Sequence, residues 1–370
     1  PHGKGSGEIL FDGIPMEQIS AKDQAAKIGY VMQNPDDQLV TDKVWHELAF
    51  GLESLGCDQK TMRARVAEMA CYFGIQDWFH RDVANLSGGQ KQLLNLASIM
   101  AMQPEVLILD EPTSQLDPIA ASDFLNTVRK INIELGTTVI ITEHRLEDIF
   151  PHADRAIVMD AGRVVADDTP RNIGKLLYQQ KNDMFAAMPT PVRVFYGAGG
   201  AGECPVTVRE GRNWLSRSFS TTPAVTSVPD NNTGEKSKEI ALSMKELWFR
   251  YEKDSPDILR GVTAEIPVGS IYAIVGGNGA GKSTTLRAIC GICRAYRGKL
   301  KIFGKPVEKY KTSELFGGTL AMLPQDPKSL FVKKTVREDL EEMTSDKALI
   351  AQLAATCQIE KFLDSHPYDL

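Results

Sequence analysis

The sequence predicts an α/β fold that is present twice in the chain. The first observation is an internal repeat: residues 7–13 read GEILFDG, and 291 residues later residues 298–304 read GKLKIFG. The second is a short apolar segment at 271–275 that runs into a glycine-rich loop and then a helical pattern. The third is a pair of apolar, β-branched segments at 106–109 and 138–141. Buried strands that alternate with helices are typical of a parallel sheet.

Composition and charge fit a globular α/β protein. The chain is 42% hydrophobic and 7% aromatic, and its 42 basic and 48 acidic residues give a net charge of −6. That balance does not favour nucleic-acid binding, which normally shows a basic face. No apolar run approaches the length of a membrane span, so a membrane role would require a partner. Cys290 and Cys293 lack the second Cys or His pair of a zinc site, and we interpret them as packing residues.

The repeat predicts a first domain over residues 1–183 and a second over 241–370. The glycine-rich loop that begins at Gly276 has its first-copy equivalent before residue 1, and Leu370 takes the place of Leu86. We therefore expect both domains to be incomplete: the first lacks its N-terminal part, and the second lacks its second half. Residues 184–240 are rich in Pro, Gly, Ser and Thr, which predicts a partly disordered linker.

The loop at 276–283 reads GGNGAGKS and has the strand–loop–helix context of a phosphate-binding P-loop. Glycines allow backbone N–H groups to converge on phosphate, and the helix N-terminus adds its positive dipole. Lys282 is predicted to reach the β- and γ-phosphates, and Ser283 to hold Mg²⁺. The predicted nucleotide-binding residues of this segment are Gly276, Asn278, Gly279, Ala280, Gly281, Lys282, Ser283 and Thr284.

A second cluster of motifs lies in the first domain. Ser87-Gly88-Gly89-Gln90 is predicted to open a helix with Ser87 at its N-cap, so that free N–H groups face an anion. Asp110 ends the strand at 106–109, where a carboxylate can hold Mg²⁺ through water. The next residue, Glu111, is placed to polarise an attacking water.

These motifs together resemble those of ATP-binding cassette (ABC) ATPases. The resemblance implies a P-loop NTPase fold with two ABC nucleotide-binding domains in tandem, each an α/β core with an antiparallel β region and a helical subdomain. It implies ATP and Mg²⁺ as cofactors and Glu111, His144 and Gln33 as catalytic residues. Further implied nucleotide contacts come from Tyr251 on adenine, from Gln325, from Ser87, Gly88, Gly89 and Gln90, and from Asp117. The implied metal-binding residues are Ser283, Gln325 and Asp110.

Each ATP in such a pair of cassettes is shared between the phosphate loop of one copy and the signature segment of the other. This chain holds the second-copy loop and the first-copy signature, but the remaining parts of each site fall outside its 370 residues. We therefore expect these residues by themselves to bind nucleotide weakly without turnover. The resemblance implies that the complete protein is an ATPase coupled to transmembrane transport.

Residues 33–40 read QNPDDQLV, and residues 38–52 have an amphipathic helical pattern. This resembles the ATPase subunits of energy-coupling-factor importers of vitamins or metal ions. The resemblance implies a peripheral location on the cytoplasmic face of a prokaryotic cell membrane. It also implies a multi-span transmembrane coupling subunit that docks on residues 38–52, a separate substrate-binding membrane subunit, and no nucleic acid. The second copy departs from the pattern at 326–331, which reads DPKSLF.

Three other classes remain open from the sequence. A tandem sugar-importer ATPase would share most of these motifs. A soluble ribosome-associated ABC protein usually carries a long charged helical linker, whereas the segment at 184–240 is rich in Pro, Gly, Ser and Thr. A nucleotide-binding module without turnover is the third.

Overall fold

The computed structural model describes residues 6–219, 239–277, 279–325 and 327–369. They form two compact units. The first holds the described residues of 1–231 together with those of 275–280, and the second holds the described residues of 232–274 and 281–370. In the described part of the chain, no helix is both long and apolar enough to cross a membrane.

The centre of the first unit is a parallel sheet of three strands in the order β3-β4-β5. Two antiparallel hairpins, β1–β2 and β6–β7, accompany it. The strand predictions at 106–109 and 138–141 are confirmed, because they coincide with β4 and β5. The strands are β1 (Leu10–Phe11), β2 (Ile14–Pro15), β3 (Ile28–Val31), β4 (Val106–Asp110), β5 (Thr138–Thr142), β6 (Ala156–Asp160) and β7 (Arg163–Asp168).

Side-chain caps fix where several helices of this unit begin. Asp58 accepts hydrogen bonds from the first turn of α3, and Asp117 does the same for α5, which ends at Gly136 in the left-handed conformation. The helices are α1 (Ala21–Lys27), α2 (Val44–Ser54), α3 (Gln59–Tyr72), α4 (Gly88–Ala101), α5 (Pro118–Leu135), α6 (Leu146–Ile149), α7 (Pro170–Gln180), α8 (Thr190–Gly197) and α9 (Val208–Ser218).

One hydrophobic core joins the parallel sheet to α2, α3, α4 and α5. Burial of large aliphatic side chains is the main stabilising term for such a core. It holds β4 in the centre of the sheet, so the residues that follow β4 occupy a fixed position. Its fully buried members include Leu48, Leu94, Leu96, Leu107, Leu109 and Ile131.

Residues 184–219 of the predicted linker are folded, whereas its disorder was predicted around residues 218–236. Helices α8 and α9 pack with α7 and the β6–β7 hairpin around a second core that includes Val192 and Phe195. Composition misled here because the prolines lie at helix starts, where they are tolerated: Pro191 is in the first turn of α8. The rest of the predicted linker, 220–238, lies outside the described residues.

An ion pair ties α7 to α9 in this helical region. The guanidinium of Arg171 donates to both carboxylate oxygens of Glu210, at 3.1 and 2.7 Å. Glu210 also closes a capping box with Thr207 at the start of α9. The hydrogen bonds from Arg171 lower the pKa of Glu210.

We expect this contact to make the helical region sensitive to acid. Because the pKa of Glu210 is lower in the folded state, its contribution is present above the ordinary glutamate range and is lost as pH falls through the folded-state pKa. Trp214 on α9 packs against Phe195 and should report the transition by fluorescence. Glu210→Gln should remove most of that acid sensitivity, whereas Glu239→Gln should leave it; equal acid profiles for wild type and Glu210→Gln would contradict the assignment.

The second unit is built on an antiparallel sheet in the order β11-β10-β8-β9. Two hydrophobic clusters pack this sheet against α10: one includes Met244, Leu247, Ile289 and Leu300, and the other consists of Phe249, Leu259 and Ala288. The elements are β8 (Ile240–Phe249), β9 (Leu259–Pro267), α10 (Lys282–Ile289), β10 (Arg297–Ile302), β11 (Lys305–Pro306), α11 (Thr312–Glu314), α12 (Val336–Met343) and α13 (Lys347–Thr356).

The buried strand predicted at 271–275 is wrong. These residues form no strand, and Ile271 and Val275 are 103% and 87% exposed. A strand of a parallel sheet is stable only beside hydrogen-bonded neighbours. In the described part of the chain no strand pairs with residues 271–275, so their apolar side chains are not buried in a sheet. Of the α/β core predicted for the second domain, the described residues form the antiparallel sheet and the helices.

Candidate functional site

Three predicted catalytic residues meet at the carboxyl end of the parallel sheet in the first unit. The Gln33 Nε2 donates to Glu111 Oε2 at 2.8 Å, and His144 Nε2 lies 2.8 Å from Glu111 Oε1. Gln33 follows β3, Glu111 follows β4, and His144 follows β5. Parallel strands that end at one edge of a sheet bring such residues together, although they are distant in sequence.

Both carboxylate oxygens of Asp110 accept hydrogen bonds from hydroxyl groups. The hydroxyl of Tyr30 donates to Oδ2 at 3.1 Å, and that of Thr142 donates to Oδ1 at 2.8 Å. The hydrogen bond to Asp110 is the largest of the effects that raise the pKa of Tyr30. Thr142 also accepts from the backbone N–H of Glu111 at 3.0 Å. One hydroxyl therefore contacts both the Asp110 carboxylate and the Glu111 backbone.

The backbone at Glu111 is strained. Its φ is 41°, in the left-handed region that non-glycine residues rarely adopt. Strain of this kind is kept only where the surroundings determine the conformation, and it is concentrated at functional sites. Here it points the Glu111 side chain toward Gln33 and His144.

The prediction that Ser87 caps a helix is confirmed. Ser87 and Gln90 form a reciprocal capping box at the start of α4, which leaves Gly88 and Gly89 in its first turn. One turn later, the Lys91 ammonium lies 2.5 Å from an oxygen of Asp36, which binds α4 to the loop after Gln33. Asp117, which the resemblance implies as a nucleotide contact, is the N-cap of α5.

Three glycines of the glycine-rich loop have backbone conformations that favour glycine. Gly276, Gly279 and Gly281 all have positive φ, at 156°, 80° and 88°. A Cβ at Gly281 would lie 3.2 Å from the carbonyl oxygen of Ile258. Only glycine fits there without strain. Asn278 lies outside the described residues.

Helix α10 starts at Lys282, two residues before the predicted start at Thr284. Ser283 is exposed in its first turn, whereas the side chain of Thr284 is buried at 8% exposure. The burial of Thr284 does not favour a ligand contact by its hydroxyl.

Two predicted nucleotide contacts of the second copy are exposed. Tyr251 is 56% exposed and has its ring edge against Phe249, at 5.0 Å between centroids. Gln325 is also exposed, in a bend. Gln33 donates to Glu111, whereas the described part of the chain shows no such contact with a glutamate for Gln325.

Sequence reasoning missed Tyr30, Thr142, Thr113 and Glu143, which support the site. Tyr30 and Thr142 could have been found, because both lie at the carboxyl ends of strands that flank β4. The role of Glu143 depends on a turn whose geometry no local pattern indicates.

The donor set fits Mg²⁺ held mainly by phosphate and water. In the described part of the chain, no group of three His, Cys, Asp or Glu residues could hold a metal ion by itself. Mg²⁺ commonly takes only one or two protein ligands beside substrate phosphates. Asp110 and Gln33 in the first unit, and Ser283 in the second, have suitable oxygen atoms.

A phosphate loop, a capped signature helix and a carboxylate oriented by Gln and His define a class: nucleotide-hydrolysing P-loop proteins. The family described as ABC transporter matches residues 2–114 and again 259–370. The chain belongs to this family of ABC transporter ATP-binding proteins, and the ABC fold and the two repeated regions are thereby confirmed.

Relatives cover the whole chain. A relative from Bacillus cereus, named an ABC transporter ATP-binding protein, is 38% identical over an alignment of 375 positions that covers 100% of this chain and 66% of that protein. One from Bacillus thuringiensis is 39% identical over an alignment of 376 positions that covers 100% of this chain and 67% of its own length. The chain thus spans about two thirds of their length. Among solved structures, cbiO1 from Clostridium perfringens, part of the ABC transporter complex cbiONQ, is 34% identical, covers 48% of this chain and 72% of its own, and has a TM-score of 0.43.

Proposed function

We propose that the complete protein hydrolyses ATP to power import through an energy-coupling-factor type transporter of vitamins or metal ions. Family membership supports an ATP-binding subunit of a transporter. The observation that carries hydrolysis is the pair of 2.8 Å contacts that Gln33 and His144 make with the two oxygens of Glu111.

These contacts suit a general base. Glu111 is partly buried, with 28% of its side chain exposed. One of its carboxylate oxygens contacts Gln33 and the other contacts His144. A carboxylate held at a fixed position can take a proton from a water as that water attacks phosphorus. His144 is 81% exposed, which leaves its ring accessible to a nucleotide phosphate. The Lys282 ammonium and the N–H groups of the glycine loop would bind the phosphates.

The segment after Gln33 supports the energy-coupling-factor class. The side chain of Gln38 accepts from Met32 N at 3.0 Å and donates to the Tyr30 carbonyl at 2.8 Å. This folds the Asp-Asp-Gln segment back on β3, directly beside Gln33. A partner that presses on this segment would act on Gln33 through one short connection.

Residues 38–52 supply a surface for the transmembrane coupling subunit. The helix begins at Val44, so only the second part of the predicted segment is helical. Val40, Trp45 and Phe50 are 66%, 44% and 38% exposed. Two of the three are aromatic, the residue type that is enriched in the buried core of protein interfaces. Through this partner the protein would lie on the cytoplasmic face of the membrane, with a separate membrane subunit that binds the substrate.

We expect Trp45→Ala to weaken binding of the multi-span partner by about ten-fold or more, because buried tryptophans often dominate interfaces. The measurement is recovery of the partner from detergent-solubilised membranes with the full-length protein. Ile133→Ala is the control, since Ile133 is 67% exposed on α5. Recovery of ribosomal proteins and no multi-span protein would contradict the importer function, and an ATPase activity unaffected by any membrane partner would favour another class.

A further inference from the structure

Glu143 joins two parts of the first-unit site that are distant in sequence. Its Oε1 accepts from Thr113 N at 3.2 Å and from the Thr113 hydroxyl. Its Oε2 accepts from the backbone N–H groups of His144 at 3.2 Å and Arg145 at 3.4 Å. One side chain thus accepts four hydrogen bonds, two from each part.

The Thr113 end of this bridge is rigid. Thr113 is 0% exposed and lies two residues after Glu111. The turn between them is closed by a hydrogen bond from Ser114 N to the Glu111 carbonyl at 3.1 Å. Anything bound to Thr113 is therefore held at a fixed distance from Glu111.

The His144 end has little other support. The His144 side chain is 81% exposed, so packing does little to orient it toward Glu111. The position of its ring depends on the backbone of the turn at 143–145, and both N–H groups in that turn are bound by Glu143. Glu143 therefore supports the 2.8 Å contact between His144 and Glu111 at both ends: it binds the backbone of the His144 turn, and it binds Thr113, which follows Glu111.

We propose that Glu143 is a positioning residue that holds His144 against Glu111 and thereby sets the rate of hydrolysis. This inference rests on the proposed ATPase function. A carboxylate suits the task because it only accepts hydrogen bonds and has about four lone-pair sites. Glutamine would present an NH₂ group to N–H donors at one end of the bridge, and aspartate is one methylene shorter.

The first test compares kcat and KM for ATP in the full-length protein. Glu143→Ala should lower kcat by about ten-fold and change KM less than about two-fold, because a displacement of about 1 Å in a catalytic group is costly. Glu143→Gln should give an intermediate kcat. Glu147→Gln is the matched control: Glu147 lies four residues further on and accepts from Thr190 N and Oγ1 at 2.7 and 2.6 Å. An unchanged kcat in Glu143→Ala, or a change in KM alone, would overturn the proposal.

A double-mutant cycle separates positioning from general stabilisation. In the His144→Ala background, Glu143→Ala should have almost no further effect on kcat, because the residue it positions is gone. If Glu143 acts only through overall stability, the two effects will instead multiply, and the proposal is wrong.

A readout that does not need turnover keeps this proposal distinct from the proposed function. In the 370-residue chain, the ¹⁵N signal of His144 Nε2 should move in Glu143→Ala toward its position in Glu111→Ala, and should not move in Glu147→Gln. If the full-length protein does not hydrolyse ATP, the proposed function fails while this measurement still decides the role of Glu143. An unmoved signal in Glu143→Ala would refute that role.

Discussion

Replacement of Glu111 by glutamine is expected to lower kcat for ATP hydrolysis by about 100- to 10,000-fold, the range that a general base contributes. The amide has almost the shape of the carboxylate, so it can still accept from Gln33 Nε2 and donate to His144 Nε2 in its neutral form. It cannot take a proton from water. The substitution therefore removes the proton acceptor and keeps the hydrogen bonds to Gln33 and His144.

Binding provides the companion measurement for this variant. ATP affinity should stay within about two-fold of wild type, because a residue that acts only in the transition state leaves ground-state binding unchanged. Glu105→Gln is the control, since Glu105 precedes β4 and pairs with Lys27 at 3.1 Å. If Glu111→Gln retains full activity, another group takes the proton and the assignment of Glu111 is wrong.

The residues that meet in the first unit could be grouped from the sequence, because they lie at the ends of strongly apolar strands. Strands at 106–109 and 138–141 coincide with β4 and β5, and their common direction brings Glu111 and His144 together. The capped start of α4 follows from a local pattern at Ser87 that needs no tertiary information.

The failures have a physical cause as well. The apolar pattern at 271–275 describes what a strand would bury, but a strand also needs neighbours, and none pairs with these residues in the described part of the chain. At 184–219, proline and glycine content suggested a linker, whereas long-range packing around Phe195 orders the segment. Glu143 was missed because its role depends on Thr113, 30 residues away in the chain.

Replacement of Lys282 by alanine should weaken ATP binding by about 10- to 150-fold, since hydrogen bonds to charged groups contribute about 1.5–3 kcal/mol. Lys282 is the first residue of α10 and follows the positive-φ Gly281, so its ammonium and the N–H groups of the helix start would bind the same anion. The 370-residue chain is sufficient for this measurement, because it requires binding and not turnover. A fluorescent ATP analogue gives the dissociation constant directly.

Two further variants show whether the effect comes from this lysine at this position. Lys299→Ala removes the same charge from an exposed site on β10 and should change affinity less than about two-fold, because exposed charges are largely screened. Lys282→Arg keeps the charge but replaces a compact ammonium by a planar guanidinium, so it should recover only part of the affinity. If all three variants bind ATP as the wild type does, the loop at 276–284 is not the phosphate site.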